Sequence, residues 1–268
     1  MVIQSPLIAV MVRAARKCSR ALARDFGEVE NLQVSKKGPA DFVTAADLRA
    51  ERTLVEELKR ARPAFGFLLE EGGARPGEPN APRWVIDPLD GTTNFLHGLP
   101  HFAISIGVER DGALLAGVIY DFLRDEMFWA EKGAGAYVND HRLRVSERKL
   151  LADALLATGL PFKGHESHPA YFDQLGAVMS RVAGVRRMGS ASLDLAYVAA
   201  GRYEAFWEYG LQPWDVAAGI LLVREAGGFV SEIEGDGDPY ESGNVLAANA
   251  HLHGPVHKLL RGALEAPD

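Results

Sequence analysis

Apolar and polar positions alternate along this chain with two different periods, and the changes between them mark its elements. An apolar stretch from Leu7 to Val12 followed by Arg13, Arg16 and Lys17 predicts an amphipathic helix over 6–24, with Ser5 as N-cap and Pro6 in its first turn. A second helix is expected over 45–61, closed by Pro63. Apolar runs near 65–70 and 83–87 read as strands flanking a polar loop from Gly72 to Pro82. Phe102 to Glu109, Leu114 to Tyr120, Met127 to Ala130 and Ala136 to Val138 follow, separated by turn signals such as Asp111-Gly112, and predict an antiparallel meander.

Beyond about residue 150 the rhythm alternates. Strands are expected at Leu155 to Gly159, Val185 to Met188, Tyr203 to Trp207, Phe229 to Ile233 and Val245 to Ala248. Helices are expected over 169–182, over 190–200 ending at Gly201, and from Pro213 to Gly227-Gly228, with another closing the chain. Such alternation indicates helices layered on sheets.

The length of 268 residues admits one large domain or two closely packed halves. A composition of 47% hydrophobic and 24% charged residues is that of an ordinary globular protein. The net charge of −7 argues against nonspecific grip on nucleic acid or anionic membrane, because both need clustered Lys and Arg. Cys18, the sole cysteine, permits neither an intrachain disulfide nor a thiolate zinc cluster, which fits a reducing cytoplasm. The apolar-then-basic order of the first helix reverses that of a secretory signal, and no apolar run reaches membrane-spanning length.

The densest chemical signal is Trp84-Val85-Ile86-Asp87-Pro88-Leu89-Asp90-Gly91-Thr92-Thr93-Asn94. An apolar strand ends in two carboxylates, and Pro88 biases Asp87 toward extended geometry at the strand's end. The turn then returns Asp90 toward the same point. Gly91 permits close backbone approach, and the amides after it are suited to an anion. Hard oxygen ligands beside an anion cradle suggest Mg²⁺ and a phosphate ester.

Other acids fit the same rim: Glu70-Glu71 after a strand, Asp47 in a first helical turn after Asp41-Phe42-Val43-Thr44, and Asp215 in another first turn. Taken singly, Asp47 and Asp215 are equally well explained by a helix dipole, and Glu70-Glu71 by a solvated strand end. His253 and His257, and His165 and His168, form no HExxH pattern and read as surface residues. Ser105 and Ser190 lack a nucleophile elbow, and Gly133-Ala134-Gly135 lies between strands.

Together these segments resemble the inositol monophosphatase family over nearly the whole chain. Residues Trp84 to Phe95 match its first signature, and Trp214-Asp215-Val216-Ala217-Ala218-Gly219, continuing to Glu225-Ala226-Gly227-Gly228, match its second. Asp41 to Asp47, Glu70-Glu71 and Gly189-Ser190-Ala191 support both, and Arg187 to Trp214 is most similar to the bacterial branch.

The resemblance implies an α/β, αβαβα five-layer sandwich of the sugar phosphatase and inositol monophosphatase type. One domain would span 1–268, with an N-terminal metal-binding half of about 1–145 and a C-terminal α/β half of about 146–268. It implies a cytoplasmic, lithium-sensitive homodimer that uses two or three Mg²⁺ ions and metal-activated water. The substrate would be myo-inositol 1-phosphate or a related small polyol or sugar phosphate, cleaved to the alcohol and inorganic phosphate.

Carried over by position, Glu70, Asp87 and the Leu89 carbonyl hold the first metal, and Asp87, Asp90 and Asp215 the second, with Glu70 near a third. Asp47 and Thr92, with Glu70, serve catalysis by orienting and activating water. The Gly91 and Thr92 amides bind phosphate, and Asp90, Ala191, Glu208 and Asp215 contact the polyol. The chain departs from the family at Leu69, where glycine is common. Gln212 stands where relatives vary, and either Lys36 or Lys37 fills a basic position.

Alternative substrates within the family are fructose 1,6-bisphosphate, histidinol phosphate and a 3′-phosphonucleotide. A haloacid-dehalogenase-type mechanism is disfavoured, since Asp87 and Asp90 have two residues between them rather than one. A regulatory protein acting in transcription or RNA processing is the alternative of another class, although direct nucleic-acid binding conflicts with the acidic balance.

Overall fold

The computed structural model describes residues 3–28, 34–38, 41–161 and 168–265. Helix α1 (Pro6–Gly27) opens as its sequence requires, with Ser5 Oγ accepting from Ile8 N at 3.2 Å, and runs a turn beyond residue 24. Strands β1 (Val34–Gly38) and β2 (Asp41–Thr44), not foreseen from the sequence, form an antiparallel hairpin that delivers the chain to α2 (Ala45–Ala61). The expected pair β3 (Gly66–Leu69) and β5 (Arg83–Asp90) is parallel, and β4 (Gly73–Arg75) folds back on β3 inside the predicted polar loop. Gly73, at φ +65°, makes that reversal possible.

After the short α3 (Thr92–Leu96) the meander runs as predicted through β6 (Ala103–Arg110), β7 (Ala113–Asp121), β8 (Glu126–Glu131), β9 (Gly135–Val138) and a brief β10 (His141–Arg142). These build an eight-stranded sheet of order β10-β9-β8-β7-β6-β5-β3-β4. The remaining elements are β11 (Leu155–Thr158), α4 (His168–Met179), β12 (Gly184–Arg186), α5 (Ala191–Ala199), β13 (Ala205–Glu208), α6 (Pro213–Glu225), β14 (Phe229–Glu232), α7 (Pro239–Ser242), β15 (Val245–Ala248) and α8 (His253–Glu265). Their five strands form a second sheet, β12-β11-β13-β15-β14, parallel on one side and antiparallel on the other. Helix α4 stops at Met179 rather than 182, and β12 stops at Arg186 rather than Met188, because Gly189 turns the chain at φ +86° into α5. The loop holding His165 lies outside the described residues, as do the side chains of Lys36, Lys37 and His168.

Three apolar cores separate five layers. Ile8, Met11, Leu54 and Leu58 of α1 and α2 pack on Trp84, Ile86 and Ile106 on one face of the large sheet. The other face meets α5 and α6, whose opposite sides cover the second sheet through Leu193, Phe206 and Ala247. Helices α4 and α8 close the far side around Leu156, Trp207, Leu246 and Leu260. The architecture is the αβαβα sandwich that the resemblance implied.

Helix α6 is apolar all round, with Val216 to Val223 buried without interruption, because it lies between two sheets. It sits down on β6 and β7 where they carry Gly107 and Gly117. A Cβ on either glycine would stand 2.8 Å from Ala217 or Ala218. This tight seat fixes the start of α6, and therefore Asp215, relative to β5. Among the described residues no helix is long and apolar enough to cross a membrane.

Candidate active site

Strand β5 continues past Asp87, where the sequence pattern ended it, as far as Asp90. Its register against β6 slips in between: Asp87 pairs with Ser105, and Asp90 with Ala103. Three residues on β5 thus step against two on β6, a bulge at which Pro88 has no N–H to lose. Residues three apart on a regular strand face opposite sides. The extra residue restores Asp87 and Asp90 to one face, toward α5 and α6. Asp87 Oδ1 accepts from Leu89 N at 2.8 Å and holds the bulge closed.

Asp90 reaches across to the C-terminal half. Its Oδ2 accepts from Ser190 Oγ at 2.7 Å, Ser192 N at 2.7 Å and Ser192 Oγ at 2.5 Å. Gly91 follows at φ +99°, with the space for its Cβ taken by His101 O at 3.0 Å and Phe102 Cβ at 3.1 Å, so only glycine fits there. Thr92 opens α3, and its Oγ1 stands 3.0 Å from Asp47 Oδ1 and 3.1 Å from the Leu89 carbonyl. Asp47 is fully buried in the first turn of α2.

Glu70 leaves β3 beside β5, its N–H donating to Ile86 O at 3.2 Å. Asp215 is the N3 residue of α6, and its Oδ2 accepts from Gln212 N at 2.7 Å in a capping box. The dipole-and-cap reading of Asp215 therefore holds, and it does not remove Asp215 from the cluster. Ala191 begins α5 and is buried, and Glu208 ends β13. Glu208 lies so close over Gly159 that any Cβ there would overlap its carboxylate.

Electrostatics bind these acids into one group. Burial drives the Asp87 carboxyl well above its usual range, and repulsion from Glu70, Asp90 and Asp215 drives it further. Asp215 rises likewise by burial and the nearness of Asp90, Glu70 and Glu208, against the pull of Gln212 N–H. Burial also raises Asp90, although the Ser190 and Ser192 donors counter it. Glu208 is pushed up to about 8 by burial, with Arg187 opposing.

Among the described residues, no three His, Cys, Asp or Glu side chains stand gathered as a ready-made metal cluster. Asp87, Asp90 and Asp215 each turn an oxygen to a protein donor. The donor set nonetheless suits a hard divalent cation. It is all oxygen, it is buried, and its members repel one another until a positive charge arrives.

Sequence reasoning missed several participants. Glu51 lies one turn beyond Asp47 on the same face of α2, and its Oε2 accepts from Glu71 N at 2.9 Å and Gly72 N at 3.2 Å, holding the turn after Glu70. The i, i+4 spacing of Asp47 and Glu51 was a usable signal. Asn94 Nδ2 donates to His101 O and Met188 O, both at 2.8 Å, and ties the two halves together. Asp194 is a buried acid beneath Glu208 and Asp90, held well above its usual range, and nothing in the sequence marks it.

Fold and site together define a layered α/β phosphatase. The profile of the inositol monophosphatase family matches residues 3–265, and the chain belongs to that family. It is 54% identical to a protein of Rhizobium meliloti named inositol-1-monophosphatase, over 98% of both chains. It is 47% identical to a protein of Pseudomonas aeruginosa named Nus factor SuhB, over 91% of this chain and 92% of that one. The crystal structure of extragenic suppressor protein suhB from Bartonella henselae superposes with a TM-score of 0.93 at 53% identity, covering 96% of this chain and 99% of that one.

Proposed function

We propose that the chain hydrolyses myo-inositol 1-phosphate, or a closely similar small polyol phosphate, with Mg²⁺. The observation that carries this reading is the buried group of Glu70, Asp87, Asp90 and Asp215, whose charges oppose one another. Glu70, Asp87 and the Leu89 carbonyl would hold one ion, Asp87, Asp90 and Asp215 a second, and Glu70 would lie near a third. Bound there, the ions supply charge neutralisation for the phosphoryl oxygens.

The chain's own residues do the rest. Thr92 Oγ1 orients the attacking water and passes its proton to Asp47; as the water oxygen bonds to phosphorus, the bond to the alcohol oxygen breaks and that oxygen takes a proton from solvent water. The Gly91 and Thr92 amides bind the phosphate oxygens. Asp90, Ala191, Glu208 and Asp215 face the alcohol, and Glu208, neutral at pH 7, donates to a substrate hydroxyl. Phosphoryl transfer asks mainly for such positioning.

The reading takes 1–268 as one domain, its half of about 1–145 supplying most carboxylates and its half of about 146–268 the Ser190–Ser192 clamp on Asp90. A homodimer is supported by exposed Leu99 and Leu123, on neighbouring loops bridged by Arg124 Nη1 to Pro100 O at 3.0 Å. A cytoplasmic setting is supported by the sole cysteine, Cys18, being a free thiol.

Phosphate release from myo-inositol 1-phosphate, fructose 1,6-bisphosphate, histidinol phosphate and a 3′-phosphonucleotide, with and without Mg²⁺ and Li⁺, tests the proposal. Preferred, Mg²⁺-dependent, Li⁺-inhibited cleavage of the inositol ester is expected. Preference for another ester would replace the substrate, and activity indifferent to Mg²⁺ would overturn the mechanism. The relatives named Nus factor SuhB favour a second reading, in which the fold also serves transcription. Full complementation of a deletion strain by a catalytically inert variant would support it.

A further inference from the structure

A pocket lies at the opposite ends of β3 and β5 from the acid group. It is open to solvent and has a volume of about 450 Å³, within the range of small-molecule sites. Part of its wall is main chain: a Cβ on Gly77 would stand 2.3 Å from Gly66 N, so the loop after β4 abuts the start of β3. Gly66 N donates to Pro82 O at 3.1 Å and Glu78 N to Ala64 O at 2.8 Å, pinning that loop in place.

Its lining is cationic. Arg75, Arg83 and Arg110 border it, beside apolar Phe67 and Ala81. Of the two acids present, Glu109 is buried and already engaged, its Oε2 2.5 Å from Arg83 Nε and its Oε1 accepting from Gly112 N at 3.0 Å. Asp111 lies in the exposed β6–β7 turn. Arg110 has no ion-pair partner among the described residues. Arg75 approaches Glu51 only at 4.0 Å. Guanidinium forks left in this state match the paired oxygens of a phosphate or carboxylate.

Arg75 also connects the cavity to the acid group. Glu51 holds both amides of the turn that follows Glu70. Gly72 admits this arrangement because a Cβ there would lie 2.6 Å from Arg75 Nη2 and 2.7 Å from Glu51 Oε1. An anion drawing Arg75 into the cavity would take a cation away from beside Glu51 and leave the carboxylate that holds that turn less fixed in place.

We propose that this cavity binds a small metabolite bearing a phosphate or carboxylate group, and that its occupancy is felt at the Glu70–Glu71 turn through Arg75 and Glu51. Binding here is independent of the phosphatase reading, and only the coupling rests on it.

The full-length chain, free of divalent ions so that the active site lacks the cations that would hold an anion, is titrated with inorganic phosphate and separately with malonate. Arginine Nε–H resonances are followed by NMR. Saturable shifts at Arg75, Arg83 and Arg110 are expected with at least one probe, and which probe binds identifies the acid group recognised. Arg110→Gln should weaken binding roughly tenfold and leave phosphate release from the substrate unchanged. Resonances that stay unmoved by both anions, or shifts that Arg110→Gln does not weaken, would overturn the site even if the enzyme is fully active. For the coupling, amide exchange at Glu71 and Gly72 is measured in the Mg²⁺-loaded protein. Exchange should quicken with the anion in the unmodified chain, and not in Arg110→Gln or Arg75→Gln. Equal exchange in all three would overturn the coupling, whereas loss of hydrolysis alone would count against the phosphatase reading.

Discussion

Thr92 Oγ1 stands 3.0 Å from Asp47 Oδ1, across 45 residues of sequence. A hydroxyl on the first residue of one helix meets a buried carboxylate in the first turn of another. An amide at position 47 keeps the shape and cannot accept a proton. Asp47→Asn and Thr92→Ala should therefore each lower kcat by about 10²–10⁴-fold with little change in melting temperature. Steady-state rates beside a thermal melt check this, and near-normal kcat in both variants would remove the pair from the chemistry.

Asn94 fastens the loop that, in the proposed reading, would carry the substrate side of the site. Its amide donates to Met188 O at 2.8 Å, two residues before Ser190 and four before Ser192, which grip Asp90. Asn94→Ala strands buried carbonyls, and the loop that presents Ala191 loses its anchor. KM should rise roughly tenfold while kcat per folded molecule changes far less. A purely structural role would lower the active fraction and leave KM alone.

Glu208 supplies a pH signature. Burial raises its carboxyl to about 8, so in the proposed reading it is protonated at pH 7 and able to donate to a substrate hydroxyl. Glu208→Gln preserves a donor and should leave KM within about threefold at pH 7. Above pH 8 the unmodified protein ionises and its KM climbs, while the variant's KM stays flat. Parallel KM profiles for the two proteins would contradict this assignment.

His101 contributes to stability with the opposite slope. Burial, reinforced by Arg124, lowers its imidazolium from 6.5 to about 4. The unfolded chain thus takes up a proton before the folded one does. Its contribution is complete above pH 6.5 and is lost as pH falls toward 4, amounting to about 2–3 kcal/mol. Urea midpoints at pH 7 and pH 4.5 should fall more steeply for the unmodified protein than for His101→Phe. Equal falls would show that His101 titrates normally.

Much of the fold was legible because its helices and strands carry clean local signals. Ser5-Pro6 at the start of α1 and Gly91 before α3 each behave as their chemistry dictates. The β1–β2 hairpin escaped because its strands of five and four residues bear no alternating apolar pattern, and β4 because a three-residue strand looks like loop. Within the site, the paired aspartates were visible. The reason both face one way was not, since it lies in a register slip against β6 that no single strand reveals. The Asp90–Ser192 and Asn94–Met188 bonds join residues about a hundred positions apart, and only packing of the two sheets around α5 and α6 brings them together.

The account stands on divalent cations gathering among the buried acids. Calorimetric titration of the metal-free chain with Mg²⁺, repeated with Asp87→Asn and Asp90→Asn, measures that directly. Two or three ions per chain are predicted for the unmodified protein, at least one of them lost in each variant with the fold retained. Absence of saturable Mg²⁺ binding, or identical isotherms for all three proteins, would contradict the central claim.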